Sequence, residues 1–148
     1  MSIVWVAGCL MSNSPVSLAQ EAPLITITKS DKISIGMNAV SGPQGVGISQ
    51  VLQKDLQLSG AFTIGLPSTS SYVATGEGTA SSLRGLLKER SGRVVLERSY
   101  QGSARAQAHA FANDILETIT GIRGIAGSRI AFVATRSGNK EIYIVESD

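Results

Sequence analysis

The sequence predicts an α+β fold, in which a mixed β-sheet is covered by two helices and is followed by a separate β-hairpin. Residues 46–59 and 104–119 repeat apolar side chains at steps of three and four, which is the pattern of amphipathic helices. Between them, residues 72–100 contain three β-prone runs with short polar connections, as in an antiparallel meander. Two further β-prone runs begin at Arg129, so we expect a compact domain to end near Gly127.

The composition is that of a folded chain with an ordinary charge balance. Of 148 residues, 43% are hydrophobic and 16% are charged, which favours one globular domain with a short remainder over disorder. The net charge is +2 and lysine and arginine form no run, so composition gives no support for nucleic-acid binding. Cys9 is the single cysteine of the sequence, which excludes a disulfide within the chain.

The first 19 residues have the features of a signal peptide. The apolar core at residues 3–11 is too short to span a bilayer, and Ser17-Leu18-Ala19 matches the small-x-small pattern of a cleavage site. No lysine or arginine precedes this core, which leaves a buried first strand as an alternative. A second alternative is a lipobox at residues 6–9, which would leave a lipidated Cys9 at the mature N-terminus.

The next part of the chain predicts two short strands and a helix. Residues 24–28 form a β-prone run, and residues 33–37 alternate apolar with small or polar side chains, as in a half-buried strand. Residues 46–59 then have helical periodicity, and Gly60 is suited to end the helix. The residues expected on the buried face of this helix are Ile48, Val51, Leu52, Leu56 and Ser59.

The following part predicts four strands and the second helix. The expected strands are 62–64, 72–78, 82–90 and 93–100. Ser91-Gly92 is suited to a two-residue hairpin turn between the last two strands. Ser103 can cap the second helix, and Gly121 can end it in a left-handed conformation. The apolar stripe of this helix comprises Ala104, Ala108, Phe111, Ala112, Ile115, Leu116 and Ile119.

The tail predicts a hairpin, with strands at 129–134 and 141–145. A hairpin by itself is marginally stable in water, so this one needs further strands. We therefore expect the sequence to be part of a longer chain, or to be completed by a partner.

The residues that carry chemistry form no recognisable catalytic or metal-binding pattern. His109 is the single histidine, and with Cys9 in the leader it has no histidine or cysteine partner for a metal. Asp55 and Asp114 lie on the two predicted helices, where we expect solvated or capping roles. The glycines of residues 42–47 lack the lysine and the spacing of a phosphate-binding loop, and no G-x-S-x-G motif occurs. We therefore predict no catalytic residue, no cofactor and no metal among these residues.

The segment after the leader is the candidate binding site. Cleavage after Ala19 would leave it near a free N-terminus, where an extended segment can add as a strand to the sheet of a partner. The alternative is an ordinary edge strand. The candidate residues are Gln20, Glu21, Ala22, Pro23, Leu24, Ile25, Thr26, Ile27 and Thr28.

Four stretches of the sequence resemble the TolB family. Residues 54–62, which end in Ser-Gly-Ala-Phe, are similar to the family's segment at the end of its first helix. Residues 108–116, which begin with Ala-His, are similar to the family's second helix, and residues 119–133 to the junction that follows it. Residues 138–145 are similar to the next strand of the family, so the resemblance covers residues 24–148.

This resemblance implies a domain organisation and a function. Residues 20–127 would form the family's N-terminal α/β domain, and residues 128–148 the first hairpin of an incomplete six-bladed β-propeller. TolB proteins are non-enzymatic periplasmic components of the Tol-Pal envelope system, which maintains outer-membrane integrity and supports cell division. The family binds the lipoprotein Pal through its propeller and TolA through its mature N-terminus. Residues 20–28 would therefore contact a TolA-like partner, whereas the residues for a Pal-like partner cannot be placed.

Two departures from the family pattern qualify the resemblance. The family has an additional helix between the strands that start at residues 62 and 72, and residues 67–71 are too few for it. Family members also have an aromatic residue near Ile125. The alternatives to a Tol-Pal module are a small nucleic-acid-binding α/β module and a non-catalytic fragment of a larger propeller protein, and an enzyme whose chemistry lies in another part of the chain also stays open.

Overall fold

The computed structural model describes residues 32–146, and all structural statements below refer to that range. The predicted signal peptide (1–19), the lipobox alternative at Cys9 and the β-prone run at 24–28 lie outside the described residues. The elements in chain order are β1 Ile33–Met37, α1 Gly45–Leu58, β2 Phe62–Gly65, β3 Tyr72–Gly78, β4 Ser82–Glu89, β5 Val94–Gln101, α2 Ala104–Thr120, β6 Arg129–Ala134 and β7 Glu141–Glu146.

The first five strands form one mixed sheet in the order β2-β1-β3-β4-β5. β1 pairs in parallel with β2 and β3, and the pairs β3–β4 and β4–β5 are antiparallel. β6 and β7 form a separate antiparallel hairpin. The prediction of a mixed sheet with two helices, followed by a hairpin, is therefore confirmed.

Both helices cover the same face of the sheet. A Cβ atom built on Gly85 of β4 would lie 2.7 Å from the ring of Phe111 on α2, and one on Gly78 of β3 would lie 2.8 Å from Ile48 on α1. Gly78 pairs with Leu83 and Gly76 with Gly85, so the alternation of side chains places Gly78 and Gly85 on one face. The glycines thus let the two helices approach the strands closely.

The core lies between this face and the helices. Phe111 is fully buried and its ring centroid lies 5.5 Å from that of Tyr100 on β5. Burial of large apolar side chains is the main favourable contribution to folding, which explains why the predicted stripe of α2 faces the strands. The other core residues are Ile35, Val40, Ile48, Leu52, Leu56, Phe62, Ala74, Leu83, Leu87, Ala108, Ala112 and Ile115.

A short connection crosses β1 on the opposite face of the sheet. Residues 66–71 join β2 to β3, which flank β1 in parallel, and a connection between parallel strands usually needs a dozen or more residues. A Cβ on Gly36 would lie 2.5 Å from the Cα of Pro67, so glycine at this position allows the crossing. The amide of Ser71 donates to the carbonyl oxygen of Ser34 at 3.1 Å. The prediction that this connection is too short for a helix is confirmed.

The turn between β4 and β5 differs from the predicted Ser91-Gly92 turn. The amide of Glu89 donates to the carbonyl oxygen of Arg93 at 2.9 Å, which leaves three residues, 90–92, in the loop. A two-residue turn of type I′ needs positive φ angles at both central residues, whereas only Gly92 has one here, at +89°. The prediction was therefore wrong, and it also placed the end of β4 and the start of β5 one residue off.

Both ends of α2 confirm the sequence prediction. The Ser103 hydroxyl accepts a hydrogen bond from the amide of Ala106 at 3.3 Å, as an N-cap does. Gly121 has a φ angle of +73°, and its amide donates to the carbonyl oxygen of Glu117 at 2.8 Å. The helix therefore begins and ends where its cap residues predict.

Asp114 has a structural role that the sequence analysis did not assign. Its Oδ2 accepts hydrogen bonds from the hydroxyl of Tyr100 at 2.8 Å and from Nη1 of Arg98 at 2.7 Å, which ties α2 to β5. The expectation of a solvated or capping role was therefore wrong. Burial, together with the adjacent Asp114 carboxylate, raises the pKa of Tyr100 far above its ordinary value, so this hydroxyl keeps its proton.

Candidate functional site

The candidate binding segment, residues 20–28, lies outside the described residues, and its role stays a prediction. Within residues 32–146, no group of three or more His, Cys, Asp or Glu side chains is placed to hold a metal ion. Of the helices in this range, none is both long and apolar enough to cross a membrane. The notable arrangement of side chains in this part of the chain lies where α2 meets the hairpin.

A row of polar side chains runs along α2 beside its apolar stripe. Arg105, His109 and Asn113 follow one another at steps of four and therefore lie on one side of the helix. Each of them contacts another part of the fold. Together these contacts surround the segment that joins α2 to β6, here called the junction.

His109 binds α1. Its Nδ1 lies 2.7 Å from Oδ2 of Asp55, and both side chains are almost completely buried. A charged group inside a protein needs a partner, and this pair satisfies Asp55 within the helix–helix contact. The expectation that Asp55 is solvated or capping was therefore wrong, and His109 is packed in the helix–helix contact.

The position of Asp55 contains a signal that could have revealed this pair. Asp55 follows Ile48 by seven residues and Leu52 by three, so it lies on the apolar face of α1. An ionisable residue on a buried face requires a partner, and the chain has a single histidine at the edge of the opposing stripe. Nothing in the local sequence states which residue of α2 supplies the partner, because the two positions are 54 residues apart.

Asn113 binds the segment between α2 and β6, here called the strap and defined as residues 122–126. Its Nδ2 donates to the carbonyl oxygen of Ala126 at 3.1 Å, and its Oδ1 accepts from the amide of Ala126 at 2.9 Å. A Cβ on Gly124 would lie 2.2 Å from the Oδ1 of Asn113, so the backbone of the strap passes directly over this side chain.

Glycines with left-handed backbone conformations flank the strap. Gly121 and Gly127 both have φ angles of +73°, which other residues adopt rarely. A Cβ on Gly127 would lie 3.0 Å from Cδ2 of His109, so the histidine that binds α1 also packs against the end of the strap. One side of α2 thus contacts α1 and both ends of the junction.

The strap borders a mostly apolar cavity of about 530 Å³, here called the junction cavity. Ile122 and Ile125 are among the residues that line it, and 67% and 77% of their surface is exposed. Its polar lining includes Asn113 and Arg123. The apolar lining comes from α1, α2, the strap and β6, and includes Leu56, Leu58, Ala112, Leu116 and Ile130.

The hairpin exposes apolar side chains on both of its faces. Ile130 pairs with Val145 and Phe132 with Tyr143 on one face, where the two rings stack with centroids 5.6 Å apart. The other face carries the pairs Ala131–Ile144 and Val133–Ile142. Exposed apolar surface of this extent is typical of a surface that another structure covers.

Among the described residues, Arg105 of α2 and Glu146 of the hairpin form an ion pair. Nε of Arg105 lies 3.7 Å from Oε2 of Glu146, and both side chains are largely exposed. Such a pair contributes little to stability, because water and salt screen it. The contacts that define the junction are therefore those of His109 and Asn113.

The fold and the junction define a class of protein: a mixed α+β domain that a short glycine-flanked strap joins to a separate β-hairpin. Comparison with known protein families found no matching family profile. Among solved structures, the crystal structure of TolB from Acinetobacter baumannii shares the fold. It has a TM-score of 0.67 and 21% identity, over 80% of this chain and 37% of that one.

Curated relatives identify the family. The Tol-Pal system protein TolB of Geobacter sulfurreducens is 27% identical over 183 residues, which cover 97% of this chain and 42% of that protein. TolB of Geobacter metallireducens is 30% identical over 130 residues, with 68% and 30% covered. A TolB homolog of Chlorobaculum tepidum is 46% identical over 61 residues, with 39% and 14% covered. The chain belongs to the TolB family, as the resemblance in its sequence predicted.

The chain spans less than half of the length of these relatives. The alignment with the Geobacter sulfurreducens protein also extends over more positions than the 148 residues of this chain, so that protein carries insertions relative to it. The activity and the partners of the whole protein are therefore matters for proposal.

Proposed function

We propose that this chain is a periplasmic, non-enzymatic protein-binding component of the Tol-Pal envelope system. In this role it links a TolA-like and a Pal-like partner, and thereby maintains outer-membrane integrity and supports cell division. The observation that carries the proposal is the similarity to a Tol-Pal system protein over 97% of the chain. Residues 1–19 would direct the chain across the inner membrane and then be removed.

The organisation of the chain supports two separate binding regions. In this proposal, residues 20–127 would belong to the α/β domain, and residues 128–148 would begin a β-propeller. The hairpin is apolar on both faces, as expected of strands that other strands and blades cover. The Pal-like partner would bind the propeller, and the TolA-like partner would bind residues 20–28 by strand addition.

Binding to the periplasmic C-terminal domain of TolA tests the proposed arm. The mature chain, starting at Gln20, is compared with a chain that starts at Lys29. Strand addition gains affinity from main-chain hydrogen bonds along the whole segment, so we expect its removal to weaken binding by about 100-fold, or about 3 kcal/mol. Calorimetry or surface plasmon resonance measures the difference.

A matched pair of variants separates the arm from the rest of the surface. Ile25→Asp places a charge within the β-prone run and should weaken binding nearly as much as the deletion. Gln53→Ala, at an exposed position of α1, should leave the affinity unchanged. Equal affinity of the full and the shortened chain would overturn the role of residues 20–28. Accumulation of the chain in the cytoplasm would contradict the proposed location.

The distribution of charge argues against the nucleic-acid-binding alternative. Four arginines of the described range are paired with carboxylates, which reduces the free positive charge available to phosphates. These pairs are Arg84–Glu97, Arg93–Glu89, Arg98–Asp114 and Arg105–Glu146.

A further inference from the structure

We propose that the strap, residues 122–126, has two positions. In the position described above, Asn113 holds Ala126. In the second, these two hydrogen bonds are broken, and the strap rotates at Gly121 and Gly127 so that Ile122 and Ile125 enter the junction cavity. This proposal concerns the chain's own junction and does not depend on the identity of any partner.

The contacts that hold the strap in its present position are polar. Both hydrogen-bonding groups of the Ala126 backbone are bound by the amide of Asn113, at 3.1 and 2.9 Å. At the other end, the amide of Ile122 donates to the hydroxyl of Thr120 at 3.1 Å. Hydrogen bonds of this kind exchange with hydrogen bonds to water at a small net cost, so they hold the strap without fixing it permanently.

The two isoleucines of the strap are largely exposed to water, which is less favourable than burial among apolar side chains. Ile122 and Ile125 have 67% and 77% of their surface exposed, although both already line one side of an apolar cavity of about 530 Å³. Leu56, Leu58 and Leu116 also line this cavity. Movement of the two isoleucines into this space would remove apolar surface from water, which is the driving force for the second position.

The backbone provides hinges at both ends of the strap. Gly121 and Gly127 have the same φ angle of +73°, and neither carries a Cβ that would restrict rotation into another region. Hinges in proteins are typically a few residues at the ends of elements that absorb large changes in φ and ψ. Here the two hinges enclose five residues, so the strap can move while α2 and β6 keep their own structures.

Closure would change the path of the chain between the two parts of the molecule. Ser128 and β6 follow Gly127 directly, and Ile130 of β6 lines the same cavity as the strap. The elements β1–β5, α1 and α2 are here called the α/β layer. A strap that has closed on the cavity would therefore change the direction in which the hairpin leaves this layer. The Asn113–Ala126 contact is thus the element that selects between two orientations of the hairpin.

A tryptophan reporter in the strap tests the proposal in the full 148-residue chain. Ile125→Trp is introduced together with Trp5→Phe, so that position 125 holds the single tryptophan. In this parent we expect emission at the long wavelength of a solvated indole and strong quenching by acrylamide. Asn113→Ala should shift the emission to shorter wavelength and reduce the quenching constant to about half, because the reporter enters the apolar cavity.

Two control variants test whether the shift comes from movement of the strap into the cavity. Gln53→Ala removes an exposed amide from α1 and should leave the emission at the parental wavelength. Ile122→Asp, added to the Asn113→Ala variant, places a charge on the moving segment and should restore the solvated signal. Far-UV circular dichroism confirms that each variant keeps the fold.

Two measurements could overturn the proposal. If Asn113→Ala leaves the emission unchanged, or makes the reporter more accessible to acrylamide, the strap has one position or simply comes loose. Gly127→Ala gives an independent measurement, since it strains the present position at a φ angle of +73° without altering Asn113. The proposal requires the same shift to shorter wavelength in that variant, and its absence would contradict it.

Discussion

The α/β layer and the terminal hairpin contain similar side chains but bury them very differently. Phe111 and Ile35 of the layer are fully buried, whereas Phe132 of the hairpin is 45% exposed and Ile142 is 75% exposed. β4 of the layer alternates between buried and more exposed positions, while the hairpin is apolar on both faces. The layer therefore has a buried core of its own, whereas the hairpin has the character of strands that need cover on both sides.

The largest difference between the two regions should appear on removal of a phenylalanine. Phe111→Ala takes a fully buried ring from its contacts with Gly85 and Tyr100, and should lower the free energy of unfolding by about 4 kcal/mol. Phe132→Ala removes a half-exposed ring and should cost less than about 1 kcal/mol. Urea denaturation measures both, and losses of similar size would mean that the hairpin is as well packed as the layer.

The contact between the two helices should give the next largest effect. Asp55→Ala leaves His109 in a buried position without the carboxylate at 2.7 Å, and we expect a loss of about 3 kcal/mol in the free energy of unfolding. Glu117→Ala, which removes an exposed carboxylate from α2, is the matched control and should cost little. A double-mutant cycle with His109→Ala measures the coupling, and additive losses would show that the pair does not act as a unit.

Tyr100 should make the layer sensitive to alkali. Its folded pKa is raised above that of the unfolded chain, so the stability it contributes is present below about pH 10 and is lost as pH rises above that value. The loss should be about 1.4 kcal/mol per pH unit in excess of that in Tyr100→Phe. Parallel urea titrations above pH 10 test this, and identical slopes for the two proteins would refute it.

The smallest expected difference between the two regions can be measured on the chain without any substitution. In native-state amide exchange, we expect the amides of β6 and β7 to exchange faster than those in the middle of α2, because a two-stranded hairpin has little buried apolar surface. The measurement is made on the wild-type chain by NMR or mass spectrometry. Equally slow exchange in both regions would show that the hairpin shares the stability of the layer.

The elements of the fold could be predicted largely from local patterns. The alternation in β1 and the periodicity of α2 depend on neighbouring residues, and the caps Ser103 and Gly121 act within one turn. The Arg90-Ser91-Gly92 turn was missed because Ser91 and Gly92 fit a two-residue turn as a dipeptide, and the observed backbone allows a positive φ angle only at the glycine.

The contacts of the junction could not be predicted, because they join distant positions. Asp55 and His109 are 54 residues apart, and the hydrogen bonds from Asn113 to Ala126 depend on how the strap passes over α2. The apolar stripe of α2 could be predicted from its periodicity, but the contacts of the polar row beside it could not. The candidate binding residues 20–28 lie outside the described range, and their role stays a prediction.

The crossing of residues 66–71 over Gly36 has a consequence for the order in which the sheet assembles. β1 lies between β2 and β3, and its pairing with β3 joins residues that are 37 positions apart. The meander β3–β5 uses contacts between neighbouring strands, which form faster than distant ones. We therefore expect the meander to form early. β1 would then be enclosed in the last step of folding, when residues 66–71 close above Gly36. No hairpin turn joins β1 to β2 or β3, so this crossing helps to hold it in the sheet.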